Sequence, residues 1–329
     1  MCATRPIARS VAVAALTLLA LASGLFAQFR SAGEPARPGP KEDRGSVPSF
    51  RSDVRLVPLL ATVKDANGTL IGDLTKEEFE ILDSGVAQEV ALFETRTEQP
   101  LSVSILVDTS LTTGIKLREE RRSVEFFLEA LIGSGNEQDS AALYTFNDQV
   151  TLQQPFTRNL RRLKRGLGRL APEGGTSLYD ALYLAADAIY DRDGRHVVIA
   201  VTDGGDTTSR LNIGSAIRRL QEADTVVYPI LVVPIEANAG RNIGGENALQ
   251  IIAMRTGGKV YAAALGKELD DVFAEILRDL RTQYLIAFYP RGVPPTKDGY
   301  HRLVLRTTRP GLLVQTRSGY YGEALPDKP

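Results

Sequence analysis

The feature that most restricts what this chain can become is the alternation that begins at residue 101. An apolar run over 101–107 ends in Asp108, and strand-like runs return at 141–146, 150–152, 196–202, 226–233 and 260–262. Helical patterns fill the gaps at 116–131, 159–170, 177–190, 213–223, 248–256 and 269–280. In the second of these, Leu160, Leu163, Leu167 and Leu170 fall on one face. Strands buried on both faces read as apolar runs, and strands alternating with helices of this length predict an α/β fold with a mostly parallel, doubly wound, Rossmann-like sheet.

Both flanks read differently. Residues 54–64 form a β-rich stretch and Asn67-Gly68 is a hairpin turn signal. Thr75-Lys76-Glu77-Glu78 has the form of a capping box opening a short helical turn, and 79–82 and 86–94 read as strands joined at Ser84-Gly85. After residue 281, strand patterns return at 284–289, 301–307 and 312–317. Neither flank has enough strands for a stable sheet pair of its own. The economical arrangement is one small β-sandwich-like domain made by residues 51–98 and 282–322, with the α/β domain of 99–281 inserted into it and a tail at 323–329.

The amino terminus has the layout of a secretory signal. Arg5 and Arg9 precede an apolar run from 10 to 21, and Ala20-Leu21-Ala22 or Ala27 offers small residues for cleavage. The run is short for a spanning helix, which needs about 20 apolar residues, so 1–27 is read as a signal peptide rather than an uncleaved anchor. The Pro- and Gly-containing stretch 28–50 reads as a flexible linker. The body of the protein is then expected outside the cytoplasm, whether secreted, periplasmic or on the cell surface. Lys plus Arg, at 39, nearly cancels Asp plus Glu, at 40, which argues against a nucleic-acid partner. The only cysteine is Cys2, and the two histidines are His196 and His301. A zinc or copper site of the usual kind cannot be built from that set. Any metal must be held by oxygen.

Three segments stand where strands end or helices begin: Asp108-Thr109-Ser110-Leu111-Thr112, Gly174-Gly175-Thr176-Ser177 and Thr202-Asp203-Gly204. In doubly wound sheets, ligands bind beyond the carboxyl ends of the strands where the order reverses. Asp108 and Asp203 bring charge to that crevice, and Ser110, Thr112 and Thr176 bring neutral hydroxyls. An oxygen set with few carboxylates suits Mg²⁺ or Mn²⁺, with Ca²⁺ the remaining hard cation. Each segment also has a plainer reading: Asp-x-Ser as a helix cap, Asp203-Gly204 as a turn, Thr176 as an N-cap.

In this order and spacing, Asp108-x-Ser110-x-Thr112, Thr176 and Thr202-Asp203-Gly204 resemble the metal-ion-dependent adhesion site of von Willebrand factor A domains, over roughly 101–280. The family pattern has Ser where Thr112 stands and Gly where Leu111 stands. The resemblance implies that Ser110 and Thr112 touch the metal directly, that Asp108 and Asp203 act largely through water, and that Thr176 does either. The flanking Leu74-Thr75-Lys76-Glu77-Glu78-Phe79, Asp83-Ser84-Gly85 and Arg317-Ser318-Gly319-Tyr320-Tyr321-Gly322 resemble exported bacterial von Willebrand factor A-related proteins, known especially from acidobacteria.

The expectation for function is therefore a binding module, not an enzyme, that captures an Asp or Glu of a protein partner through the cation. A structural or assembly protein with a decayed site is the alternative, and a metal-dependent hydrolase the less favoured one. No Gly-x-Ser-x-Gly, His-Glu-x-x-His or phosphate loop is present. A membrane contact is expected only if the signal segment stays attached. The basic run 158–169 reads as the exposed face of an amphipathic helix, and Asp206 as a solvated loop acid.

Overall fold

The computed structural model describes residues 56–95, 98–110, 117–232 and 242–322. The expected signal peptide, linker and tail, together with Thr112, lie outside the described residues. Two four-stranded sheets and one six-stranded sheet organise the rest.

The six-stranded sheet follows from the apolar runs. Its strands are β5 (Leu101–Asp108), β6 (Ser140–Phe146), β7 (Val150–Thr157), β8 (Arg195–Thr202), β9 (Thr225–Val232) and β10 (Tyr261–Ala263), in the order β10-β9-β8-β5-β6-β7. All neighbours are parallel except β6 and β7. β5, β6, β8 and β9 are buried at every position, as strands covered on both faces must be. Helices α1 (Leu117–Ser134), α2 (Leu160–Leu167) and α6 (Lys267–Thr282) pack on one face around Val103, Ile105, Phe127 and Phe273. Helices α3 (Leu178–Ile189), α4 (Ile213–Glu222) and α5 (Ile243–Thr256) pack on the other around Leu106, Phe146 and Leu182. The order reverses between β5 and β8, which pair in register from Leu101↔Arg195 to Val107↔Val201.

The remaining strands come from both flanks. They are β1 (Val57–Lys64), β2 (Phe79–Asp83), β3 (Val86–Gln88), β4 (Val90–Glu94), β11 (Tyr284–Phe288), β12 (Tyr300–Thr307), β13 (Leu313–Gln315) and β14 (Gly319–Tyr321). One sheet runs β13-β1-β11-β4 and the other β14-β12-β2-β3. Leu59, Ala61, Ile81, Ile286, Phe288 and Leu303 meet in a core between them.

Local departures have identifiable causes. The single strand expected over 86–94 is two, because β3 pairs with β2 while β4 pairs with β11, so the chain changes sheets at Glu89. β7 runs on through Pro155, which an edge strand tolerates because a ladder donor is not required on its open side. Tyr320 and Tyr321 lie in the short strand β14, which pairs with β12.

Candidate functional site

Parallel register alone brings the first two acidic positions together. β5 and β8 are neighbours, so Asp108 and Thr202 end adjacent strands at the reversal. Asp108 is 1% exposed. The Thr202 hydroxyl donates to its Oδ2 at 2.7 Å and the Ser110 N–H donates to its Oδ1 at 2.9 Å. Burial pushes the Asp108 carboxyl up from its ordinary range, the Thr202 hydroxyl and the N–H and side chain of Ser110 pull it back, and the charge of Asp203 pushes it up again. Ser110 is buried and Asp203 half-buried. Asp203 makes no hydrogen bond or ion pair among the described residues.

Thr176 arrives by a different route. The Glu173 N–H donates to Thr109 O at 2.8 Å, joining its loop to the turn after β5. Gly174 has φ +47, and a Cβ there would stand 1.9 Å from the Asp148 carboxylate, so this position takes no side chain. Asp148 Oδ1 accepts the Gly175 N–H at 2.6 Å, and Asn147 O accepts the Ser177 N–H at 2.7 Å. From the other side, the Thr176 N–H donates to Thr207 Oγ1 at 2.9 Å, while Thr176 O accepts the N–H groups of Thr207 (2.8 Å) and Thr208 (3.2 Å). Thr176 is thus gripped by its backbone, and its hydroxyl makes no hydrogen bond among the described residues.

The loop after β8 also orders the helix that Thr176 introduces. Asp206 accepts the Tyr179 N–H and the Ser209 hydroxyl, so it holds the first turn of α3 and is not merely a solvated acid. Asp180 in turn accepts the N–H groups of Arg210 and Leu211. A Cβ on Gly205 would stand 2.9 Å from Gly245 Cα, because this loop seats directly on the start of α5. Sequence reasoning missed the clamp formed by Asp206-Thr207-Thr208-Ser209. Its signal was the run of short hydroxyl side chains behind an aspartate, a composition that favours local side chain-to-backbone bonds.

Asp108, at the end of β5, and Ser110, Thr176 and Asp203, on loops, therefore stand on segments tied to one another, while Thr112 falls outside the described residues. Among the described residues no three His, Cys, Asp or Glu side chains are gathered for a metal. The oxygens present are two carboxylates, that of Asp108 buried and that of Asp203 half-buried, together with hydroxyls. His196 is structural: its ring nitrogens lie 2.6 Å from Ala223 O and 2.8 Å from Arg192 O. A cavity of about 300 Å³ lies elsewhere, where β8 and β9 begin, walled by Arg195, Gln221, Arg317, Leu60 and Leu285. No helix among the described residues is long and apolar enough to cross a membrane.

Residues 103–205 match the von Willebrand factor type A domain family, a span that contains all five candidate ligands. Similar solved structures include the vWF domain of the type V pili tip protein Mfa5 from Porphyromonas gingivalis, at 14% identity and TM-score 0.45, covering 60% of this chain and 98% of that one. An aerotolerance-related membrane protein from Bacteroides fragilis NCTC 9343 is similar at 20% identity and TM-score 0.43, covering 55% of this chain and 98% of that one. The PilB minor pilin from Streptococcus sanguinis matches at 15% identity and TM-score 0.45, covering 56% of this chain and 62% of that one. No curated protein matches the chain. At such scores these likenesses carry no argument about what this chain binds.

Proposed function

We propose that this von Willebrand factor A-like unit is a metal-dependent protein-binding module acting outside the cytoplasm. The observation that carries the reading is the pair of unused groups at the reversal: the Asp203 carboxylate and the Thr176 hydroxyl, beside buried Asp108. The like charges of Asp108 and Asp203 oppose one another, and a cation held between them would relieve that opposition.

Ser110, Thr112 and Thr176 would hold the ion with their hydroxyls, and Asp108 and Asp203 would supply the balancing charge. Once bound, Mg²⁺, or Mn²⁺ or Ca²⁺ in its place, offers an electrophilic open position suited to a carboxylate oxygen. The residues of this chain do the positioning. Thr202 and Ser110 orient Asp108, and Thr207 and Thr208 fix the backbone of Thr176. A partner's Asp or Glu would complete the set. Asp108 and Asp203, the acids at the reversal, are committed to the ion, which favours capture over hydrolysis.

The test is calorimetric titration of Mg²⁺ and Mn²⁺ into the exported chain, beside Asp203→Ala. Saturable one-site uptake that disappears in the variant supports the reading. Silence of the parent protein at millimolar metal sinks it and leaves a structural or assembly role.

A further inference from the structure

Residues 158–169 read Arg-Asn-Leu-Arg-Arg-Leu-Lys-Arg-Gly-Leu-Gly-Arg, with no acid among them. Leu163, Gly166 and Leu167 are buried, so at 3.6 residues per turn Arg158, Arg161, Arg162, Arg165 and Arg169 line the opposite face of α2 and its ends. All five are exposed and none forms an ion pair among the described residues. Lys164, on the flank, is the exception: it meets Glu125 at 2.7 Å and Glu129 at 2.5 Å on α1. Within the helix, Arg161 and Arg165, and Arg162 and Arg165, stand at spacings where like charges repel. A face needed only for solvation would mix signs and avoid that cost.

The track also leads somewhere. Four residues beyond Arg169, the Glu173 N–H bonds Thr109 O, in the turn beside Asp108. Arg121 of α1 reaches the same end of α2, its Nη2 lying 3.9 Å from where a Cβ on Gly168 would stand. The arginines therefore run down the flank of the molecule from the candidate cation site.

We infer that α2 and Arg121 form a docking surface for an acidic segment of the protein partner, lying beyond the carboxylate that the cation takes; this rests on the adhesion-site reading. Guanidinium groups pair with carboxylates in a two-point fork, so a row of them suits a run of Asp and Glu. A bilayer fits poorly, because the leucines of α2 are already packed in the core and cannot sink among acyl chains. A polysaccharide fits less well, since residues 158–169 offer no aromatic ring to stack on a sugar.

The test uses poly-L-glutamate as the probe, followed by fluorescence anisotropy with and without Mn²⁺. Arg161→Glu/Arg165→Glu is compared with Arg302→Glu/Arg306→Glu, an equal charge change on the exposed face of β12. The α2 variant is expected to bind the probe about tenfold more weakly and with a shallower salt dependence, while the β12 variant keeps parental binding. Mn²⁺ uptake, read by calorimetry on the same samples, stays unchanged in both. Equal binding by all three proteins overturns the docking surface and leaves the cation site standing. Loss only in the α2 variant, without any Mn²⁺ uptake by the parent, keeps the arginine surface as a polyanion site and removes the cation reading. Tighter binding of polygalacturonate than of polyglutamate, lost in the α2 variant, overturns the assignment to a protein.

Discussion

The Thr202 hydroxyl donates to a carboxylate that is almost wholly removed from water. Thr202→Val keeps the shape and removes the donor, and a lost hydrogen bond to a charged group costs about 1.5–3 kcal/mol. Urea unfolding at neutral pH should show that loss, while Thr202→Ser should stay near the parent; equal stability of all three would mean that Asp108 is not held by this bond. Thr207→Val removes one acceptor for the Thr176 N–H but leaves the two backbone bonds to Thr176 O. Amide exchange at 174–178 should rise without global unfolding, and an unchanged exchange rate would show that the backbone bonds suffice. Asp108 and Asp203 were legible in the sequence as acids at strand ends. The part played by Thr202 was not, because it depends on which strands are neighbours and in what register. Thr207 and Asp206 were hidden for a similar reason: their partners, Thr176 and Tyr179, stand some thirty residues earlier.

Elements were legible where one physical cause dominates. The apolar runs of β5, β8 and β9 set both their type and the alternation around them, and the leucine spacing marked α2, although that helix ends at Leu167, three residues short of the expected end. Elements that depend on a distant partner were less visible, as the split between β3 and β4 and the short β14 demonstrate. Helix ends carry their own signals. α5 stops at Gly257, which has φ +88 and whose Cβ would stand 2.6 Å from Arg317 N, so the segment between β13 and β14 passes directly over the helix end. Gly85, in the turn between β2 and β3, has nearly the same φ, +89, but open space around it. Alanine in the left-handed region costs about 1–2 kcal/mol. Gly85→Ala should lose about that much, and Gly257→Ala distinctly more because backbone must also move. Thermal unfolding of the two variants side by side measures the difference; equal losses would show that the strand can yield at no cost.

At the scale of the molecule, the open question from sequence was how β-rich flanks separated by the α/β unit combine. β1 with β11 and β2 with β12 supply the answer, since each sheet takes strands from both flanks. The choice of partner could not be read from local pattern, because every such pairing joins residues about 190 or more positions apart. Polar contacts then tie β1 to the α/β unit. Lys64 on β1 reaches Asp279 at 2.9 Å and Glu275 at 3.2 Å on α6, with Asp279 fully buried and also accepting the Tyr261 hydroxyl at 3.3 Å. Burial pulls the Lys64 ammonium down, but the hydrogen bonds and charges of Asp279 and Glu275 together raise it above the ordinary lysine range. A raised folded value means that the ion pair's stability is fully present below the unfolded lysine pKa of about 10.4 and is lost as pH rises through the folded value. Stability conferred by Lys64 should therefore be flat through neutral pH and fall only in strong alkali. Lys64→Met removes the charge while keeping most of the packing. It leaves Asp279 buried without its cation, at a cost of about 3 kcal/mol, the low end for such a loss because Glu275 is partly exposed. Urea midpoints measured at pH 7 and above pH 11 decide the matter: a large difference between parent and variant at pH 7 that narrows in alkali assigns the coupling to this pair, and a difference that does not depend on pH assigns it to packing alone.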